Sequence, residues 1–561
     1  MVKKTKINLD LEVVFSWSAV FLLMVLGIWQ FHNSEFYTGF QLVPGGRGDT
    51  RLVTALLEYL HHSFHGVGQL VSPAFYYPTR GTLGYADMFL TYAVLYDWLR
   101  VGGWDIFTSL QICLLTTNLL NFACCFLFLR KGLGFGILAA GLGAFFFAFN
   151  APKFNQIGHV QLQCLFWLPL IFWCLVDWAK NSKTLKTEGV FKRLALAAVL
   201  LNIQLLSSFY ASWNFLFWFF LFLFLGFLIP STRFFLRGLL VRHLKPLLWA
   251  ALVFVAGLVP FLMIYLPVVL ELGGKDYSEV KMMIPNFWSF LWMGPRHGWW
   301  GWLWDSCPSI RAFPVEGELR LGFGLALLLV WSALAWAAFR VLRGNGPNIN
   351  GKKIYIQFAA LTILTTTLFC LLAFQYTENF SPWRLVYNLV PGAGSIRAVS
   401  RHVLFLALPM AIALSFACHV LLQKAAGAKG NLRPLLRGIT FLFAGMIVWE
   451  QLNLPPFPAF NKDQELNRLE YLSQKLPASC NVFYATVDPG LPYTATDIQI
   501  DAMLISAVRG VPTLNGYSGQ SPPNQSWGLF KVRSAKYGEY VRDWIKLHNI
   551  QGNICELKID R

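Results

Sequence analysis

The chain has 561 residues, of which 56% are hydrophobic and 13% charged, with a mean hydropathy of +0.50, where soluble domains carry about 25% charged residues. This excludes a disordered chain and argues against a soluble enzyme; 50 Phe, 22 Trp and 19 Tyr instead suit a helical membrane protein with aromatic belts. A net charge of +18 invites a nucleic-acid reading, but its placement along the chain makes it a topology signal, and ten scattered cysteines with no CxxC pair form neither a disulfide scaffold nor a zinc site.

A hydrocarbon core takes about 20 apolar residues per helix. Eleven runs meet this: roughly 12–31, 106–129, 133–150, 160–178, 191–207, 210–229, 246–268, 321–340, 354–374, 402–422 and 436–452. The first follows Lys3, Lys4 and Lys6 and is not followed by a small-residue cleavage site, so it reads as an uncleaved anchor. A twelfth run, 86–99, is short and carries Asp87 and Asp97; it reads as a surface or half-inserted helix.

Eleven spans put the termini on opposite sides. With the N-terminus in the cytoplasm, the inner segments collect 22 basic residues, from Lys3 to Arg437, against Asp10, Glu12, Asp177 and Glu188. The outer segments and the tail are each charge-balanced, so the whole +18 lies inside, as the positive-inside rule requires. The outward regions are then 32–105, the loops 269–320 and 375–401, and the tail. The domains are 1–452, transmembrane, and 453–561, a small extracytoplasmic α/β domain with strands at Cys480–Val487 and Ile554–Ile559 and helices at Ile498–Ala507 and Tyr540–His548.

The first outer loop opens with Pro44-Gly45-Gly46-Arg47-Gly48-Asp49-Thr50-Arg51. The next helix, 51–65, is amphipathic, with Val53, Leu56, Leu57, Leu60 and Phe64 on one face and Glu58, His61, His62 and His65 on the other, and is expected to lie flat on the membrane. Asp49 at its start is either a helix cap or a functional acid. The i, i+3 and i+4 spacing of Glu58, His61, His62 and His65 allows metal ligation, against the simpler reading of a solvated polar face. Asp87, at the head of the short helix, is either a cap or a second active-site carboxylate.

Further polar groups gather at the outer span ends: Asn150 to Gln161 with His159; Ser207, Ser208 and Tyr210; Asp276, Tyr277 and Glu279; Glu316 and Glu318; and Arg384, Arg397, Arg401 and His402. Polar groups at membrane depth are costly, so a cluster on one face marks a candidate site. Arg397 and Arg401, four apart, are spaced to clamp a phosphate. Cys480 and Cys555 each begin a tail strand, and an oxidising compartment would pair them, leaving Cys307 unpaired.

The stretches GDTRLVTALLEYLHH, YYPTRGTLGYAD, FNQIGHVQLQCLFWLPL, GAGSIRAVSRHVLFLAL and DAMLISAVRGVPTLNGYSGQSPP resemble a group of bacterial membrane proteins of the GT-C superfamily of integral-membrane glycosyltransferases. The resemblance implies an α-helical polytopic GT-C-like fold of about eleven spans in a bacterial inner membrane. It implies a polyprenyl-phosphate-linked sugar donor, inverting transfer to an envelope glycan, lipid or protein acceptor, and no nucleic-acid partner. It places a catalytic acid where Asp49 stands. Arg397 and Arg401 would then hold the donor phosphate, with Asp87, His159, Tyr210, Glu279 and Arg384 around the pocket. Such enzymes often carry a two-residue acidic motif there, and here Asp49 stands alone, so a divalent metal is left open. A lipid-linked saccharide flippase or a non-catalytic envelope-assembly protein are the alternatives; a flippase predicts paired half-helices or an internal repeat, and neither is visible.

Overall fold

The computed structural model describes residues 2–292, 294, 296–306, 317–345, 353–454, 458–523 and 529–560. Among the described residues, nine helices are long and apolar enough to cross a membrane, or ten if Thr232–Arg242 and Leu244–Gly257, bent by 79°, count as one span. The protein is a multi-pass α-helical membrane protein. The count falls below the expected eleven for two reasons. Run 246–268 is split into Leu244–Gly257 and Val259–Leu272, where Pro260 in the first turn of the second helix removes a backbone donor. Run 354–374 forms Lys353–Leu372, whose apolar part, Ile356–Leu372, is short of a full span.

Helix α1 (Val2–Tyr37) breaks its helical geometry at His32. There a buried polar chain ties α1 to the bundle. His32 Nδ1 lies 2.9 Å from Glu35, Asn118 Nδ2 lies 3.0 Å from His32 Nε2, and Lys153 Nζ donates to Asn118 Oδ1 at 3.1 Å and to the Ala148 carbonyl. Each polar group is thereby partnered away from water. Around it lies an aromatic core that includes Phe31, Phe122, Phe145, Phe149 and Phe154.

A second core is shared by the first long loop and the tail. Strand β1 (Leu42–Pro44) pairs antiparallel with β2 (Ala459–Asn461), Val43 opposite Phe460. In the tail, β3 (Val482–Val487) runs parallel to β4 (Ile554–Ile559), and Cys480 is bonded to Cys555 with their Cα atoms 5.9 Å apart. Cys307 lies outside the described residues.

Helix α2 (Asp49–Phe64) does not lie on a lipid surface. It is buried from Thr50 to Leu60, with the tail helix Ala495–Arg509 on one side and α3 (Leu90–Val101) on the other. Its apolar stripe, Val53, Leu56, Leu57 and Leu60, enters the shared core, where a tail partner was out of view in a local pattern. Arg51, fully buried, reaches Asp501 and, at 2.8 Å, Glu465; Arg468 completes the cluster at 2.8 Å from Asp501 and 3.2 Å from Glu465. The tail is thus fixed to the helix that begins with Asp49.

Candidate active site

The acid at the start of α2 is not its cap: Gly48 occupies that position and brings no side-chain cap. The Asp49 carboxylate turns instead to His159, Oδ2 to Nε2 at 2.9 Å, and keeps 36% of its side chain exposed. Gly45 makes this approach possible. It has φ +91°, and a Cβ there would stand 2.2 Å from Thr50 Oγ1 and 3.1 Å from the Gly158 Cα, so only glycine lets the two loops close.

The His159 loop is held by amides. Asn150 caps the short helix Ala151–Asn155 by accepting from the Lys153 N–H, and Gln163 donates to the carbonyls of Lys153 and Gln156. The same His159 Nε2 lies 3.3 Å from Glu318 Oε1. Glu318 in turn accepts two hydrogen bonds from the Arg401 guanidinium, which is 8% exposed as a residue and sits 5.1 Å over the Tyr210 ring. Asp49, His159, Glu318 and Arg401 form one continuous chain. Burial raises the Glu318 carboxyl, but Arg401 outweighs it and holds the group at about 2. Burial also raises Asp49, and the hydrogen bond and charge of His159, then the charge of Arg401, bring it below its ordinary value. Both acids are ionised at neutral pH.

Arg397 lies beside this chain. Its backbone N–H and that of Ala398 donate to the Tyr210 hydroxyl at 3.1 and 3.2 Å. Its guanidinium forms no ion pair among the described residues, whereas that of Arg401 is engaged by Glu318. Asp87 stands apart from Asp49. It is largely buried and accepts from the Phe209 N–H at 2.8 Å, at the start of the helix Phe209–Leu228 that carries Tyr210. Glu279 and Arg384 are exposed, and Arg384 stacks on the Tyr277 ring at 4.1 Å.

The tail reaches the same place. Lys275 Nζ donates to the Gly519 carbonyl at 2.7 Å and to Gln520 Oε1 at 2.8 Å, and burial raises the Tyr517 hydroxyl above its ordinary range, the Asp49 charge adding to this and Arg397 opposing it. Gly516, next to Tyr517, packs on the Tyr76 ring, which a Cβ there would meet at 2.7 Å. Of the expected site residues, Asp49, His159, Arg401, Arg397 and Tyr210 come together, Asp87 bonds the Phe209 N–H next to Tyr210 in the chain, and Glu279 and Arg384 stay outside the chain of contacts. Glu318, Lys275 and Tyr517 were not singled out as site residues. Glu318 appears in the sequence only as one of several acids before a span, and Glu316 lies outside the described residues.

An ion cluster thus lies among the ends of the apolar helices, and the tail segment packs against the same region. The chain is similar, over 95% of its own length and 69% of the other's, to the oligosaccharyltransferase of Archaeoglobus fulgidus in its apo form, at 14% identity and a TM-score of 0.47. It is similar to ArnT from Cupriavidus metallidurans in the apo state, at 12% identity, TM-score 0.41 and coverage of 96% and 91%. The form bound to undecaprenyl phosphate gives 10%, 0.33, and 90% and 89%. No protein-family model and no curated protein sequence matches the chain.

Proposed function

We propose that this protein transfers a sugar from a polyprenyl-phosphate-linked donor to an acceptor on the tail side of the membrane, with inversion at the anomeric carbon. The observation that carries the reading is the solvent-reached Asp49 carboxylate, oriented by His159 in a cluster next to Arg397, which has no ion-pair partner among the described residues. The acceptor hydroxyl attacks the anomeric carbon and its proton passes to Asp49; the bond from that carbon to the lipid-phosphate oxygen breaks, and the phosphate leaves with the electron pair. The charge growing on the phosphate needs cations. Arg397 supplies one, and Lys275, whose present partners Gly519 and Gln520 are neutral, supplies a second. Arg401 acts through Glu318, keeping that carboxylate ionised so that it fixes His159.

Asp49 and Glu318 would be the natural ligands of a divalent ion, but His159 already sits between them and Arg401 neutralises Glu318. In this arrangement they do not form a metal centre, and no step uses one.

Asp49→Asn tests the reading. The variant should fold, insert and bind donor, since Gly48 and not Asp49 caps α2, and should lose transfer in an assay with radiolabelled lipid-linked donor. Full transfer in that variant removes Asp49 as the base.

A further inference from the structure

Helices α2 and α3 meet along two rungs of similar construction. In the first, Glu58 on α2 accepts from Arg100 on α3, Nε to Oε2 at 2.8 Å and a terminal nitrogen to Oε1 at 2.9 Å, with His62, one turn on, 3.5 Å from Glu58. In the second, one turn removed on each helix, the sign is reversed. Asp97 on α3 faces His61 and His65 on α2, with His61 Nδ1 at 2.7 Å and His65 Nε2 at 3.0 Å from the same carboxylate oxygen. The first rung contains its cation, Arg100. The second holds one acid and two bases whose ring nitrogens converge on one point, and within 4 Å Asp97 has no Lys or Arg among the described residues.

We infer that His61, His65 and Asp97 bind a divalent transition-metal ion of the zinc class. The three ligand atoms lie within 4.8 Å of one another, and among the described residues no other group of three such ligands does so. Two imidazoles and one carboxylate are a zinc ligand set, with a fourth position left to water. The histidines stand four apart on α2, where helical spacing puts them on one face. The site is accessible without being loose: the side chains of His61 and Asp97 are 15% and 18% exposed, and His65 opens to solvent at 51%. An incoming ion would displace the protons now shared between the imidazoles and Asp97. It would lie toward the far end of α2 from Asp49, about 18–24 Å away along a helix rising about 1.5 Å per residue. It would therefore take no part in transfer; it would clamp α2 to α3.

The experiment uses the full-length, untagged protein in detergent, stripped with chelator and titrated with zinc alone against a chromophoric competitor. The wild type should bind one zinc per chain. His65→Ala and Asp97→Asn should each weaken binding at least about tenfold, the scale on which even outer partners of a metal act. His62→Ala, which belongs to the other rung, should bind as the wild type does. Cobalt in the same site should show the intense visible bands of a four-coordinate ion. Should a variant fail to fold, zinc protection of His61 and His65, but not His62, against carbethoxylation in the wild type reads the same site. Absent stoichiometric binding, undiminished binding in Asp97→Asn, an equal loss in His62→Ala, or equal protection of all three histidines overturns the inference.

Discussion

Arg51 lies two residues beyond Asp49 on α2, and its wholly buried guanidinium is paired with Asp501, 450 residues away in the tail. Burial raises the Asp501 carboxyl, but the charge of Arg51 and the hydrogen bonds of Arg468 outweigh this and hold it below its ordinary value, so the cluster is ionised. The position of the candidate base therefore depends on the docking of a separate segment of chain. The tail stretch beginning at Asp501 serves this twice, with Asp501 anchoring α2 and the turn at Gly516–Gln520 meeting Tyr76 and Lys275.

Asp501→Ala should undock the tail from α2. It leaves Arg51 and Arg468 buried with Glu465 alone, and removing one partner from a buried ion cluster costs about 3–5 kcal/mol. Transfer should fall with it although no site residue is altered. Limited proteolysis of the 453–561 segment checks this, and unchanged protease resistance together with unchanged transfer would refute the coupling.

Glu318→Gln should destabilise the protein more than the double variant Glu318→Gln, Arg401→Met. The single change keeps a bulky guanidinium at an 8% exposed position without its counter-charge, whereas the double change removes both charges. Arg401→Lys should also fail to restore the site, because an ammonium cannot make the two-pronged contact to Glu318. Thermal unfolding of the purified series gives the order.

Much of this arrangement was legible in the sequence because its signals are local. About 20 apolar residues announce a span, and a glycine-rich turn before an acid announces a held carboxylate, so most spans and the Asp49 turn could be read directly. What escaped depends on partners far along the chain. The apolar face of α2 looks the same whether it meets lipid or the Met503 and Leu504 region of the tail. Glu318 carries no pattern of its own, and its meaning comes from His159 and Arg401, on separate segments. Asp87 sits ahead of its own helix but supports a different one, through the Phe209 N–H.

Asp87 gives a pH signature. Burial lifts its carboxyl from the ordinary 3.8 to about 6, against the opposing pull of the Phe209 N–H and Arg401. A folded-state value above the unfolded one means that folding favours the neutral acid more than the unfolded chain does. The group therefore costs no stability below about pH 4, and the cost grows as pH rises to about 6 and then levels off. Asp87→Asn can still accept from Phe209 and never ionises, so it should be at least as stable as the wild type at pH above 6 and lose this slope. Melting curves across that range decide, and an unchanged slope would remove Asp87 as its source.

The orientation of the chain can be tested together with the tail bond. In the eleven-run reading of the sequence the +18 lies on the cytoplasmic side, so a phosphatase fused after Arg561 should be active outside the cytoplasm, and one placed in the 180–193 loop should be inactive. Near that loop the cations make short local contacts, Lys180 to the Gly132 carbonyl and Arg193 to Asp177. If the tail is exported, the Cys480–Cys555 bond can form there and persist. Cross-linking positions 75 residues apart restricts the unfolded tail and should stabilise it by about 2–4 kcal/mol. Denatured, unreduced protein should then leave Cys480 and Cys555 unlabelled by a maleimide while buried thiols such as Cys113 and Cys164 react, and reductant should expose both. Labelling of Cys480 and Cys555 without reductant would mean that the bond is absent, and an active fusion in the 180–193 loop would overturn the assignment of sides.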